Sequence, residues 1–229
     1  MTDPLVFIAA DPRECEAWVG HWEESQRASL PVHWARSGIW KGRPVLAIAN
    51  GAGADRARAA VLAAPRPAAV CNIGFCGALD DSLAIGDIFA ATAVRNGTRT
   101  YATRPPRGPG AKSGLLVSTT RVVQSAREKK KLWESGASVV EMEAAAVARA
   151  SEEISVPFYC IRAVSDLANE DFANDFNKCL MPDGRFSVPR LLLGALGRPI
   201  SRFGELIRLA RRTALAAKNL GEFLADCTF

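Results

Sequence analysis

Three predominantly apolar runs constrain this chain most: residues 5–10 (LVFIAA), 68–73 (AAVCNI) and 157–164 (PFYCIRAV). A strand with one wet face alternates apolar and polar residues, whereas a strand covered on both faces does not. Each run is followed by a break in the apolar pattern. Asp11 and Pro12 lead into a helix over 14–22, and Pro12 suits its start. Residues 32–40 alternate, turn at Lys41-Gly42 and return over 44–49, which predicts a hairpin. Asn50-Gly51-Ala52-Gly53 then opens a helix over 54–64. Residues 74–79 read as a Gly-rich turn, and 88–94 and 115–118 as further strands. Residues 95–114 read as a solvated, Arg-rich loop, because RPPRGPG (104–110) resists regular structure. A helix is expected over 126–133 and a loop or short helix over 169–176.

Side chains able to do chemistry gather at the strand-to-helix junctions. Val139-Val140-Glu141-Met142-Glu143 runs directly into Ala144-Ala145-Ala146, the end of a strand becoming an Ala-rich helix. Acids at such a junction either cap the helix dipole or serve a site. Glu14 poses the same choice just beyond the first strand, where open α/β sheets bind ligands. Ser165-Asp166 poses it at the end of the 157–164 run. The Gly51-Gly53 turn, with Arg56 after it, is either a tight turn or a backbone anion cradle.

With 229 residues the chain can bury a large core as one unit, 1–229, with 188–229 a C-terminal helical extension. The net charge of +5 is uneven, concentrated in 95–112 and from Arg185 onward. The basic loop lacks interleaved aromatics, so nucleic acid is not an expected partner. Six cysteines form no CxxC pair, and two histidines complete no ligand set, so a metal site is not expected. Cys71, Cys76 and Cys160 lie in strand-like contexts and read as buried thiols in a reducing, cytoplasmic compartment. Residues 5–10 are too short, and lack the basic leader, for a secretory signal. A final helix over 200–226 repeats apolar residues at Ile200, Phe203, Leu206, Ile207, Ala210, Ala214, Ala217 and Leu224. It either packs on the domain with a basic outer face or lies on an anionic membrane surface.

Four landmarks in order resemble the purine nucleoside phosphorylase and nucleosidase superfamily, across roughly residues 5–177. They are the first strand with Glu14 after it; Asn72-Ile73-Gly74-Phe75-Cys76-Gly77 with Gly86-Asp87-Ile88; Val140-Glu141-Met142-Glu143-Ala144; and Arg162-Ala163-Val164-Ser165-Asp166. The pattern is similar to the methylthioadenosine/S-adenosylhomocysteine nucleosidase branch. The resemblance implies a three-layer α/β/α domain with a mixed, partly barrel-like sheet, a homo-oligomer (a dimer first), and no cofactor. It also implies roles. Asp166, oriented by Ser165, would protonate the purine; Glu143 would bind the ribose hydroxyls over Met142; Glu14 would activate water. Glu141, Gly74, Phe75 and Val122 would line the substrate.

Several positions depart from that pattern. Phosphorylases put Arg near Asn72 and a hydroxyl at Phe75; neither is here, which favours water over phosphate as acceptor. Gly51, Gly53 and Arg56 keep a phosphate site open. Val122 stands where the nucleosidases stack an aromatic on the base, and the 95–114 segment is short, leaving room for a large 5′ group. These features resemble the hopanoid-associated phosphorylases, whose substrate carries a lipid at the 5′ carbon. The expected activity is cleavage of a purine (adenine) N-glycosidic bond by water. Phosphorolysis, including the hopanoid type, is the alternative, and a non-catalytic nucleoside-binding or membrane-associated module is the second.

Overall fold

The computed structural model describes residues 2–196 and 199–229. The three apolar runs are strands β1 (Leu5–Ala9), β5 (Ala69–Ala78) and β10 (Phe158–Asp166), lying parallel at the centre of one sheet. Beyond β1 come β4 (Arg43–Ala49), β3 (Trp34–Trp40) and β2 (Glu24–Arg27). Lys41 and Gly42, both with positive φ, form the two-residue turn between β3 and β4. On the other side β6 (Ile88–Asn96), β8 (Lys112–Ser118) and β9 (Val139–Glu141) complete a ring. β10 pairs with both β5 and β6, β6 with β8, β8 with β9, and β9 with β5. The mixed sheet is therefore a closed barrel with a flange.

Alternation explains why the runs are apolar throughout. Val6, Ile8, Leu46, Ile48 and Val70 face one side, packed with Ala57, Ala60 and Val61 of α2 (Ala54–Ala63) and Ala144, Val147 and Ala148 of α4 (Ala144–Glu153). Leu5, Phe7, Val45, Ala47 and Cys71 face the other side, under Trp18 of α1 (Arg13–Val19) and Leu220 and Leu224 of α7 (Pro199–Asp226). This is the three-layer arrangement expected. All six cysteines are free and buried.

Four expectations need correction. Residues 74–78 are not a turn: β5 runs through them, because its later half pairs with both β9 and β10. Nor is 95–114 all loop. β6 continues to Asn96 and folds back through the two-residue turn Gly97-Thr98 into β7 (Arg99–Ala102), and β8 begins at Lys112. The C-terminal region holds a separate helix, α6 (Val188–Ala195), before α7; the expected break at Gly197-Arg198 lies outside the described residues. Of the stripe expected of α7, only Leu224 is fully buried. The second half of the helix buries Ala216, Leu220, Gly221, Phe223 and Leu224, whereas Ile200 is 93% exposed and Ile207 56%. The first half docks through a buried acid instead. Glu205 accepts hydrogen bonds from the Ala173 N–H at 2.7 Å and the Asn174 N–H at 2.8 Å.

Candidate active site

Glu14 and Asp166 lie over Gly74 and Gly77 of β5, and Glu141 ends β9, which pairs with β5 at Gly77. Glu14 enters from the first turn of α1 and is buried. Its Oε2 accepts from the N–H groups of Ala10 (2.9 Å) and Asp11 (3.0 Å), and its Oε1 accepts from that of Phe75 (2.8 Å). It thus ties down the turn between β1 and α1 and reaches across to β5. Gly74 makes room: a Cβ there would lie 2.6 Å from Glu14 Oε1, and its φ is +149°. Burial pushes the Glu14 carboxyl above its usual range, although the backbone donors and Arg162 pull the other way.

Arg162 is the buried counter-charge. It projects from β10 with 1% of its surface exposed. Its guanidinium donates to Glu141 Oε2 at 2.6 Å and to Asn72 Oδ1, and Asn72 in turn donates to the Ile8 carbonyl at 2.9 Å. Glu141 Oε2 also accepts from the N–H groups of Glu143 (2.9 Å) and Ala144 (2.8 Å), while the Ser118 hydroxyl donates to Oε1. Glu141 therefore caps α4 and anchors Arg162, which gives it a structural role beside the site.

Glu143, next to it, is half-buried, as is Met142. Its Oε1 accepts from the Gly53 N–H at 2.7 Å. Burial, then the neighbouring Glu141 carboxylate, pushes its carboxyl up to about 8, against the pull of Arg162 and the Gly53 N–H. This contact also uses part of the glycine turn. The N–H of Gly51 is taken by the Ala10 carbonyl (2.9 Å), that of Ala52 by Gly184 (2.8 Å) and that of Gly53 by Glu143. Arg56 donates to the Pro182 carbonyl at 3.1 Å. The expected anion cradle has its donors already engaged, one of them by a carboxylate of the protein itself.

Asp166 ends β10 with 11% of its side chain exposed. Gly77 faces it, and a Cβ there would lie 2.8 Å from Asp166 Oδ2. The Ser165 hydroxyl lies 2.9 Å from Asp166 Oδ1 and 3.1 Å from the Cys76 carbonyl. Given to Cys76, its one proton leaves the hydroxyl free to accept from a protonated Asp166. The Asp166 Oδ2 accepts from the Nζ of Lys129, at 2.5 Å. Lys129 stands on α3 (Ala126–Glu134) and was not expected in the site. It lies in a Lys129-Lys130-Lys131 run that reads as a solvated face, and nothing in the pattern separates it from its two exposed neighbours.

Val122 sits in the β8–α3 loop, half-buried. Asn177 clamps it: its Oδ1 accepts from the Val122 N–H (2.8 Å) and its Nδ2 donates to the Val122 carbonyl (2.9 Å). Phe75 is partly buried against the second core, below the rim. Among the described residues, no group of three or more His, Cys, Asp or Glu side chains could hold a metal ion.

The sequence profile of the phosphorylase superfamily matches residues 4–112 and 106–180. The chain belongs to this superfamily. As a superfamily member it is 34% identical over 133 residues to a 5′-methylthioadenosine/S-adenosylhomocysteine nucleosidase of Staphylococcus epidermidis, covering 45% of this chain and 58% of that protein. The enzyme of that name from Staphylococcus aureus strain JH9 is 29% identical over 177 residues, covering 63% of this chain and 78% of that one. Among solved structures, the Neisseria meningitidis nucleosidase in complex with methylthio-immucillin-A superposes with a TM-score of 0.68 at 23% identity, covering 98% and 99% of the two chains. Futalosine hydrolase of Helicobacter pylori gives 0.72 at 15% identity, covering 97% and 95%. At these identities the superpositions speak for the fold.

Proposed function

We propose that this superfamily member hydrolyses the N-glycosidic bond of a purine nucleoside, adenine first, without a cofactor. One observation carries the reading: Glu14 lies over Gly74 and Asp166 over Gly77 of the same strand, Glu14 and Glu143 feel each other's charge, and the N–H groups of the Gly51–Gly53 turn are engaged within the protein. Cleavage leaves electron density on the base and positive charge on the sugar, and both need relief. Asp166 gives a proton to the departing base, with Ser165 orienting it. Glu143 exchanges its Gly53 contact for the ribose hydroxyls and so anchors the sugar. Glu14, made more basic by burial, takes a proton from the attacking water. Met142 and Val122 line the apolar walls. The names of the staphylococcal relatives support hydrolysis over phosphorolysis.

The test is product analysis on a panel of adenosine, methylthioadenosine, adenosylhomocysteine and inosine, with phosphate varied. Free ribose products at a rate independent of phosphate are expected. Ribose 1-phosphate would establish phosphorolysis, and binding without turnover would establish a non-catalytic module.

The C-terminal extension supports a second feature, peripheral attachment to an anionic membrane. Within the expected segment, 200–226, Ile200, Ile207 and Leu215 are exposed, and Val188, Leu192, Leu193 and Leu196 add exposed apolar surface ahead of it, beside exposed Arg185 and Arg190. No helix among the described residues is long and apolar enough to cross a membrane, so attachment would be interfacial. Co-sedimentation with phosphatidylserine vesicles, lost in Leu192→Glu/Leu193→Glu, tests it; equal pelleting of both proteins refutes it. A homodimer in a reducing, cytoplasmic compartment completes the reading, to be checked by sedimentation under reducing conditions.

A further inference from the structure

Lys129 is the buried charged group that the mechanism above leaves unused. Its side chain is 0% exposed, while Asp166 beside it keeps 11%. Asp166 thus faces the site and Lys129 stands behind it. The ammonium has two oxygen partners, Asp166 Oδ2 at 2.5 Å and the Leu167 carbonyl at 2.5 Å, and its nitrogen lies 5.3 Å from the Phe172 ring centroid. Burying an ammonium costs several kcal/mol even after relaxation, and lysine is almost never buried unless paired. A residue needed only to hold Asp166 in place could be a neutral amide donor. The site instead has a group that carries a removable proton, in contact with the oxygen that needs one.

We propose that Lys129 is the proton reservoir of Asp166, a positioning residue that acts through the aspartate; this rests on the hydrolytic reading given above. An Nζ proton crosses to Asp166 Oδ2, leaving a neutral amine beside a neutral acid, so no net charge leaves the buried pair. The C–N bond then breaks with its electron pair going to the purine, and the Asp166 proton passes to the base. Water adds to the sugar carbon and its proton goes to Glu14. At the end Lys129 is an amine, Asp166 a carboxylate and Glu14 an acid, and proton exchange with solvent restores the start.

The experiment compares two leaving groups in wild type, Lys129→Met, Lys129→Arg and Asp166→Asn. One substrate is the adenine nucleoside turned over best. The other is 4-nitrophenyl β-ribofuranoside, whose leaving group departs as a stable anion and needs no proton. Lys129→Met is expected to lower kcat for adenine release about 10²–10⁴-fold, the usual worth of a positioned acid. KM and nitrophenol release should change only a few-fold. Lys129→Arg keeps the charge but not the removable proton, and should share the adenine defect. Equal loss on both substrates in a variant that melts like wild type would make Lys129 merely structural and overturn the proposal, as would full rescue by Arg. Normal adenine release in Lys129→Met, with loss in Asp166→Asn, overturns the reservoir and leaves the hydrolytic reading standing. A wild type that frees no base from any nucleoside overturns both. If Lys129→Met does not fold, Lys129→Gln is measured in its place against the same two outcomes.

Discussion

Replacing Arg162 by methionine should destabilise the protein severely, by an amount set by what it leaves behind. Arg162 is 1% exposed and Glu141 7%. Without the guanidinium, Glu141 keeps its hydrogen bonds from Ser118 and from the Glu143 and Ala144 N–H groups but loses its counter-charge. Asn72 Oδ1 loses the Arg162 donor. Breaking a buried ion pair from one side costs about 3–5 kcal/mol. Part of this is offset, because Arg162 Nε is buried without a partner and its removal recovers about 1 kcal/mol. A net loss of about 2–4 kcal/mol follows, and at about 2–4 °C per kcal/mol for a chain of this length Tm should fall by about 5–15 °C. The assay is thermal and urea denaturation of Arg162→Met, Glu141→Gln and the double variant. Removing the second charge should recover much of the loss, giving a coupling above about 1 kcal/mol. A Tm unchanged within error in Arg162→Met, or strictly additive effects in the double variant, would refute the reasoning.

Other expectations follow from the same structure. The raised Glu143 pKa favours the protonated folded state, so its stabilising contribution is full below the ordinary value of 4.5 and is lost as pH rises through about 8. Glu143→Gln removes that slope, so the variant should gain stability relative to wild type between pH 6 and pH 9; a constant difference in Tm over that range contradicts the assignment. Asn177→Ala removes both hydrogen bonds that clamp Val122. It should raise KM by up to about 30-fold, at roughly 1 kcal/mol for each of the two bonds, with kcat less affected, as steady-state kinetics would show. Gly221→Ala sets a methyl 2.6 Å from the Ala17 Cβ and 2.9 Å from its carbonyl carbon. Overpacking of the α1–α7 contact should cost about 1–3 kcal/mol, measured by urea denaturation.

What the sequence reveals depends on whether a property is local. Runs buried on both faces are visible because Val6 and Phe7 must both be apolar to satisfy opposite layers, and the two-residue turn at Lys41-Gly42 has a local signature. The junction acids Glu14, Glu143 and Asp166 are visible because strand ends are where such sheets bind. By contrast, residues 74–78 look like a turn because glycine in a strand is read as a break. There Gly74 and Gly77 are small because Glu14 and Asp166 cross over them, a long-range reason no local window contains. Lys129 is hidden in a run of three lysines, since its burial is decided by Asp166, distant in sequence. The missed packing face of α7 has the same cause: Glu205 is buried by hydrogen bonds to residues 173 and 174, and an apolar stripe cannot register a polar anchor. Gly97-Thr98 is different, a Gly-first hairpin turn masked by the Arg- and Pro-rich stretch after it.

The central claim is that Asp166, Glu143 and Glu14 together cleave a purine nucleoside with water. The most direct measurement is adenine release in oxygen-18 water, with and without phosphate, by wild type and Asp166→Asn. The account predicts one heavy oxygen on the anomeric carbon of the freed sugar, no dependence on phosphate, and a loss of about 10²–10⁴-fold in the variant. Unlabelled ribose 1-phosphate, or undiminished release by Asp166→Asn, would contradict it.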